Sequence, residues 1–143
     1  MGSIYFFSEK TRFKLANSKK TTSWIKSAIR KEGAILNSIN YIFCSDESLK
    51  EINTQYLRHK TYTDIITFNY SPSEGELEGE IYISVDRVRE NAKTYKTDFQ
   101  TELHRVIIHG VLHLMGFSDK TKTERFVMHE KEDCYLSLLD NSK

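Results

Sequence analysis

The chain has 143 residues and a formal net charge of +1, and its apolar fraction of 38% with 29% charged residues is typical of a polar globular protein. No apolar run approaches the roughly 20 residues that a membrane-spanning helix needs, which excludes a membrane protein, and the N-terminal residues lack the pattern of a secretion signal. We therefore expect one cytoplasmic domain over residues 1–143, large enough to bury about two-thirds of its unfolded surface.

The first half of the chain predicts a strand, a helix, a second strand and a second helix. Residues 4–7 and 38–44 have strand composition, and residues 21–33 carry apolar side chains at helical spacing after threonine and serine caps. Ser45 or Asp46 then caps the second helix. The apolar side of that helix is formed by Leu49, Ile52, Tyr56 and Leu57.

The second half of the chain predicts a β-hairpin followed by three helices. Residues 63–70 are rich in β-branched and aromatic side chains, and residues 80–84 are their natural partner across a turn-forming segment. A short helix starts at Ser84, and two longer helices cover about 98–115 and 122–139. Because strands come early and helices late, we expect an α+β fold, with a small mixed β-sheet of about four strands and helices packed mainly on one face.

The first of the two long helices carries the candidate chemistry. With His109 as the origin of a helical wheel, Glu102 lies at about 20°, His113 at about 40° and Arg105 at about 320°. The rest of the circumference is apolar or small, except for His104. Two histidines one turn apart on this polar stripe can direct their imidazoles at one point, as in the metal helix of zincin proteins.

A glycine and an aspartate follow the two histidines. Gly116 has no side chain to oppose a left-handed turn, so the chain can reverse there and bring Asp119 back beside the last helical turn. The sequence therefore predicts a metal site formed by His109, His113 and Asp119. The simpler alternative is a pair of half-buried histidines bonded to backbone carbonyls, with a glycine that only ends the helix.

The remaining histidines and the two cysteines are weaker candidates for chemistry. His104 points away from the histidine pair, and His59 lies in a polar loop. Cys44 and Cys134 are too few for a disulfide framework, and we expect both to be buried, reduced thiols. His129 is expected nearly opposite the core face of the last helix. That face is predicted to be Val127, Met128, Cys134, Tyr135, Leu138 and Leu139.

Charge is distributed unevenly along the chain. Residues 1–31 carry eight basic residues and one acidic residue, a net charge of +7, while the remaining residues carry 13 basic and 19 acidic residues, a net charge of −6. A basic segment of this kind can be a footprint for phosphate backbones. For the charge alone, a solvated helix face and a polar loop are the simpler explanation.

Three motifs resemble those of the YbeY-type endoribonucleases, a family of ribosomal RNA maturation factors. The segment 109–119 reads HGVLHLMGFSD and is similar to the family signature His-Gly-x-Leu-His-Leu-x-Gly-aromatic-Asp-His. Segments 52–68 (INTQYLRHKTYTDIITF) and 79–84 (GEIYIS) resemble two further family motifs in the same order and spacing. The resemblance implies a bacterial cytoplasmic enzyme that acts on ribosomal RNA of the small subunit, especially at its 3′ end, and in ribosome quality control.

The resemblance also implies one divalent metal ion, of zinc type, held at His109, His113 and Asp119. Asp119 departs from the family pattern, which has a histidine there, and a carboxylate lowers the net charge of the metal centre by one. We therefore expect harder divalent ions to compete better at this site. The arginine that most members carry, often implicated in catalysis, aligns with Leu57, and the neighbouring Arg58 is our candidate for stabilising phosphate charge.

Three function classes are open on the sequence. Gly110 stands where a zinc peptidase places its general base, and loss of such a base typically costs about 100- to 10,000-fold in rate. Metal-assisted hydrolysis of single-stranded RNA is therefore favoured, with either a water or the ribose 2′-hydroxyl as nucleophile. The alternatives are a zincin-type metalloprotease that recruits a base such as Glu124, and a non-catalytic ribosome-assembly factor with a structural metal.

Overall fold

A computed structural model describes residues 2–57 and 63–141. The elements follow the predicted order, and α1 begins a few residues earlier than predicted, after Asn17, whose backbone is left-handed with φ of 55°. In chain order they are β1 (Ser3–Ser8), α1 (Ser18–Lys31), β2 (Ile35–Cys44), α2 (Asp46–Leu57), β3 (Ile65–Asn69), β4 (Glu76–Ser84), α3 (Val85–Thr94), α4 (Phe99–Leu114) and α5 (Lys122–Asn141).

The four strands form one mixed sheet in the order β1-β2-β4-β3. β1, β2 and β4 run parallel, and β3 pairs antiparallel with β4, which confirms the predicted hairpin. Parallel neighbours need crossover connections, and α1 supplies the one between β1 and β2. The strand order makes β3 an edge strand, and because β3 is antiparallel to β4, its start lies next to the end of β4.

The main core lies on one face of the sheet, beneath α1, α3, α4 and α5. α4 contributes most to it because its circumference is apolar apart from the polar stripe, and each fully buried aliphatic side chain stabilises the fold by about 1.5–3 kcal/mol. A smaller core around Leu49 and Ile66 lies on the opposite face, where α2 packs. The predicted α+β architecture, with helices mainly on one face, is confirmed. The fully buried residues of α4 are Leu103, Ile107, Ile108, Val111 and Leu112.

The predicted core face of α5 is wrong in part. Met128 and Tyr135 are buried as expected, but Cys134 is exposed and Glu132 is buried between them. The burial of Cys44 is as predicted. In α2, Tyr56 is predicted on the apolar side, but the residue is 62% exposed. Among the described residues, no helix is long and apolar enough to cross a membrane.

Candidate metal centre

Three ligand atoms converge at the C-terminal end of α4. The Nε2 atoms of His109 and His113 are 2.9 Å apart, and Asp119 Oδ2 lies 3.4 Å from the first and 3.3 Å from the second. Tetrahedral bonds of about 2.0–2.2 Å place neighbouring ligand atoms about 3.3–3.6 Å apart. The triangle is close to that size, so this group could hold one divalent metal ion.

The end of α4 explains how Asp119 reaches the histidines. Gly116 has φ of +100°, and two backbone bonds close the turn: Gly116 N–H donates to the His113 carbonyl at 3.0 Å, and Phe117 N–H donates to the Leu112 carbonyl at 3.0 Å. These two bonds form the Schellman motif, in which the chain reverses direction directly after a helix. The reversal carries residue 119 back beside the last turn of α4.

A buried carboxylate on α5 orients the first histidine. His109 Nδ1 lies 2.6 Å from Glu132 Oε2, and the side chain of Glu132 is only 3% exposed. With its proton on Nδ1, His109 presents the lone pair of Nε2 to the triangle, which is the arrangement found where a carboxylate supports a metal-binding histidine. The apolar pattern of α5 does not reveal Glu132, because this charged residue occupies the buried stripe between Met128 and Tyr135.

Arg105 keeps Glu132 charged. Its guanidinium donates to Glu132 Oε1 at 2.9 Å and to Asp133 Oδ1 at 2.7 Å. Burial by itself raises the pKa of Glu132, but the hydrogen bonds from His109 and Arg105 outweigh it and leave the pKa below its usual range. The polar stripe predicted on α4 therefore includes both histidine ligand candidates and the cation that holds the supporting carboxylate.

Asp64, just before β3, is a second acidic residue beside His109 that the sequence reasoning missed. Its carboxylate accepts a hydrogen bond from Asn91 Nδ2 at 3.2 Å. Burial raises its pKa, and the nearby His109 counteracts part of that rise. The available signal in the sequence was the Thr63-Asp64 pair, which places a carboxylate directly before an apolar strand.

An open cleft of about 390 Å³ exposes the three ligand atoms on the side of β3. Asn53 and Thr67 line it together with His109, His113 and Asp119. Three protein ligands leave the fourth coordination position of a tetrahedral metal ion open, and a substrate group could approach that position through the cleft. β3 thus borders the site, as the position of its motif suggested.

The missing peptidase base is accounted for by packing. A Cβ atom at Gly110 would lie 2.9 Å from Ile65 Cδ1 and 2.9 Å from Ile81 Cγ2, so this position faces the sheet and not the cleft. Glu124, the alternative base, instead caps α5: its carboxylate accepts from Thr121 N–H at 2.9 Å, and its own N–H donates to Thr121 Oγ1 at 3.1 Å. This reciprocal pair is a capping box.

Other candidate residues lie apart from the triangle or outside the described chain. Arg58 and His59 fall in residues 58–62, outside the described residues. His104 bonds to Thr21 Oγ1 at 3.2 Å and to the Gln100 carbonyl at 2.7 Å, away from the histidine pair as predicted. His129 is exposed, as expected for a residue nearly opposite the core face, and its Nδ1 lies 3.3 Å from Glu132 Oε1.

The basic N-terminal segment lines a separate groove of about 1020 Å³. The lining consists of residues from β1, from the connection that follows it and from the start of α1, together with Phe43 of β2. Arg12, Lys14 and Lys19 line the groove, and no acidic side chain does so among the described residues. This surface therefore favours an anionic ligand over a solvated helix face without a partner.

Comparison with known proteins places these features in one family. The family model described as endoribonuclease YbeY matches residues 5–140. Two proteins of that name, from Amoebophilus asiaticus and Cytophaga hutchinsonii, are 50% and 46% identical to this chain; the matches cover 93% and 94% of it, and 90% and 94% of the relatives.

A solved structure supports the same assignment at the level of the fold. The solution structure of a Thermotoga maritima protein is 31% identical, with a TM-score of 0.67, and the match covers 97% of this chain and 90% of that one. The sequence of this chain thus matches the family over nearly its full length, and the same chain has the four-stranded mixed sheet and the group of His109, His113 and Asp119 that could hold a metal ion. This chain belongs to the endoribonuclease YbeY family.

Proposed function

We propose that this chain is a metal-dependent endoribonuclease that hydrolyses single-stranded RNA. Its biological substrate would be ribosomal RNA of the small subunit, at the 3′ end, and it would act in maturation and ribosome quality control in the cytoplasm. The whole chain, residues 1–143, would work as one domain. The observation that carries the proposal is the convergence of two imidazoles and a carboxylate beside an open cleft, in a chain whose relatives are named endoribonucleases.

We assign the metal ligands to His109, His113 and Asp119, and zinc is the proposed ion because nitrogen ligands predominate. The chemistry that such an ion supplies is polarisation of a phosphoryl oxygen. Glu132 fixes the tautomer and the orientation of His109 through the 2.6 Å hydrogen bond. Arg105 in turn holds Glu132 in place and in its charged form.

Cationic residues outside the triangle would bind the RNA backbone. Arg12, Lys14 and Lys19 in the N-terminal groove are placed to contact phosphates, and the aromatic rings there offer apolar surface to bases. We propose Arg58 as a further cation that stabilises charge on the reacting phosphate, because it follows directly after α2, which packs against β3 beside the cleft.

The two alternatives are not favoured. A metalloprotease needs a base near the open ligand position, but position 110 faces the sheet and Glu124 caps α5. A purely structural metal would need no open side, whereas the cleft along β3 leaves the three ligand atoms accessible.

The test combines metal analysis with cleavage of a structured fragment of small-subunit ribosomal RNA. We expect the purified protein to carry about one divalent ion per chain and to cleave the fragment. His113→Ala should stay folded and lose the ion and at least about 100-fold of the cleavage rate, the scale of a lost catalytic group. His104→Ala, on the same helix but away from the triangle, is the matched control and should cleave normally.

The same variants separate the alternatives. Undiminished RNA cleavage by folded His113→Ala would show that the activity belongs to a contaminant. A wild-type protein that binds the ion, cleaves no RNA and loses melting temperature in His113→Ala would indicate a structural metal. Peptide hydrolysis that depends on His113 would indicate the protease.

A further inference from the structure

Glu102 is a largely buried residue whose carboxylate has a role that the metal site does not explain. The residue as a whole is only 4% exposed, and within residues 2–57 and 63–141 the groups that act on its carboxylate do so through charge and not through a hydrogen bond. Burial raises its pKa, and the nearby charge of Arg105 offsets only part of that rise. Among the described residues, neither oxygen of Glu102 is a fully buried atom without a partner, so the oxygens reach solvent and are accessible to a partner from outside the protein.

Glu102 lines a cavity of about 590 Å³ that is separate from the cleft along β3 and also reaches His109. His109, Asp119 and Asp64 line both this cavity and the open cleft along β3. Tyr95, at the end of α3, lies at the cavity and is 67% exposed. A group bound here would therefore sit beside the metal centre with an aromatic ring available for stacking.

The cavity is suited to a ligand that donates hydrogen bonds. Its arginines are already engaged: Arg105 donates to Glu132 and Asp133, and Arg125 donates to the carbonyl of Lys120 at 3.0 Å. Both oxygens of Glu102 are available as acceptors, and Asp64 adds negative charge nearby. A phosphate would be repelled, whereas a neutral group with N–H donors would be bound.

We propose that this cavity receives a guanine base of the RNA substrate and that Glu102 reads it. This inference depends on the proposed function, because the base would belong to the strand cleaved at the metal centre. Guanine is the RNA base that presents two parallel donors, N1–H and the 2-amino group, and they match the two oxygens of one carboxylate. Adenine and cytosine offer only an exocyclic amine on that edge, and uracil has one N–H between two carbonyls.

A second metal ion is the competing occupant, and the geometry disfavours it. Within the described residues, the group whose ligand atoms lie within 4.8 Å of one another is His109, His113 and Asp119. Glu102 is not part of that group, so its carboxylate lacks the neighbours that would share a cation with it. A flat base with donors on one edge satisfies the carboxylate without further protein ligands.

Binding of labelled uridine pentamers with one central guanine, inosine, adenine or cytosine tests the proposal by fluorescence anisotropy. The wild type should bind the guanine pentamer about 5- to 150-fold more tightly than the adenine pentamer, the range of one bidentate base contact. Inosine lacks the 2-amino group and should fall between them. Glu102→Gln should remove the preference, while Glu130→Gln, an exposed glutamate on α5, should retain it.

Tyr95→Leu provides a second variant that leaves the buried residues untouched. It should weaken binding of all four pentamers to a similar degree and leave the guanine preference in place, because stacking is tolerant of base identity. Equal binding of the four pentamers by wild-type protein would overturn the proposal. So would a second equivalent of zinc or manganese that Glu102→Gln removes.

Cleavage assays separate this inference from the function on which it depends. A preference for guanine in binding without any RNA cleavage would contradict the proposed nuclease function and still support the guanine site. Cleavage mapped on a random-sequence RNA should show guanine at one fixed distance from the cut. Cleavage without a guanine at a fixed distance from the cut would support the nuclease function and overturn the guanine site.

Discussion

His109 on α4 and Glu132 on α5 are joined by a 2.6 Å contact between the histidine Nδ1 and the carboxylate Oε2. The contact is buried on the side of the carboxylate, whose side chain is 3% exposed. It determines which nitrogen of His109 faces the ligand triangle, so the packing of α5 against α4 sets the chemistry of the site.

Replacing Glu132 with glutamine should weaken metal binding by about 10- to 100-fold, the usual effect of losing such a supporting carboxylate. The neutral amide of the glutamine favours a proton on His109 Nδ1 less strongly than the carboxylate does. It also no longer neutralises the positive charge of Arg105. Competition with a chelating dye measures the affinity. Asp133→Asn is the control, because Asp133 shares Arg105 but is 67% exposed, and its affinity should stay close to the wild type. Unchanged affinity in Glu132→Gln would contradict the role given to the contact.

Replacing Asp119 with histidine should shift the metal preference toward zinc and away from manganese. The change exchanges a hard, charged oxygen for a neutral nitrogen and raises the net charge of the centre by one. The ratio of zinc to manganese affinity, measured by competition, should rise relative to the wild type. Glu130→His, on the exposed side of α5, controls for an added histidine. An unchanged ratio would mean that residue 119 does not contact the ion.

Gly110→Ala should destabilise the fold although alanine is the better helix former. The new Cβ would lie 2.9 Å from side-chain atoms of Ile65 and Ile81, and overpacking a core costs about 1–3 kcal/mol. The gain in helix propensity is about 1 kcal/mol, so we expect a net loss of up to about 2 kcal/mol. Urea unfolding measures it. If Gly110→Ala were more stable than the wild type, the side chains of Ile65 and Ile81 would have to move aside at little cost, which would contradict this prediction.

Glu32→Gln should lower stability at neutral pH but not in acid. Glu32, just after α1, accepts hydrogen bonds from Tyr135 and from Lys131, whose Nζ is 2.9 Å away. Burial alone would raise its pKa, but these partners bring it below the ordinary value of 4.5. Because the folded-state pKa is the lower one, the stabilisation is fully present above about pH 4.5 and is lost as pH falls through the folded-state value.

Urea unfolding at pH 7 and again below pH 4 tests this dependence. At pH 7 the loss in Glu32→Gln should be about 1.5–3 kcal/mol, as for a hydrogen bond to a charged group, and it should shrink in acid. Glu90→Gln is the control, since the carboxylate of Glu90 is 58% exposed and lies 3.8 Å from Lys93, and it should change little at either pH. A loss that stays constant with pH would rule out a charge-dependent contact.

The sequence predicted α4 well because its apolar pattern is strong and its exceptions share one stripe. His109 and His113 follow from that stripe, and the reversal at Gly116 follows from the lack of a side chain. These are local properties, which the order of residues within one helix determines.

The parts that the sequence did not predict depend on contacts between elements. On α5 the centre of the buried stripe is Glu132, a residue that a hydropathy pattern assigns to solvent, so the apolar side was placed partly on the exposed Cys134. Only the partners on α4, Arg105 and His109, make the burial of that charge favourable.

Every side chain of the ligand triangle, and the carboxylate behind it, belongs to α4, α5 and the turn between them. Domains fold from the N-terminus as they are synthesised, so all four strands emerge before these helices. A nascent chain that ends before α5 would have its three ligand groups but not the carboxylate that orients the first. We therefore expect the site to reach its full affinity for the ion only after α5 has packed against α4.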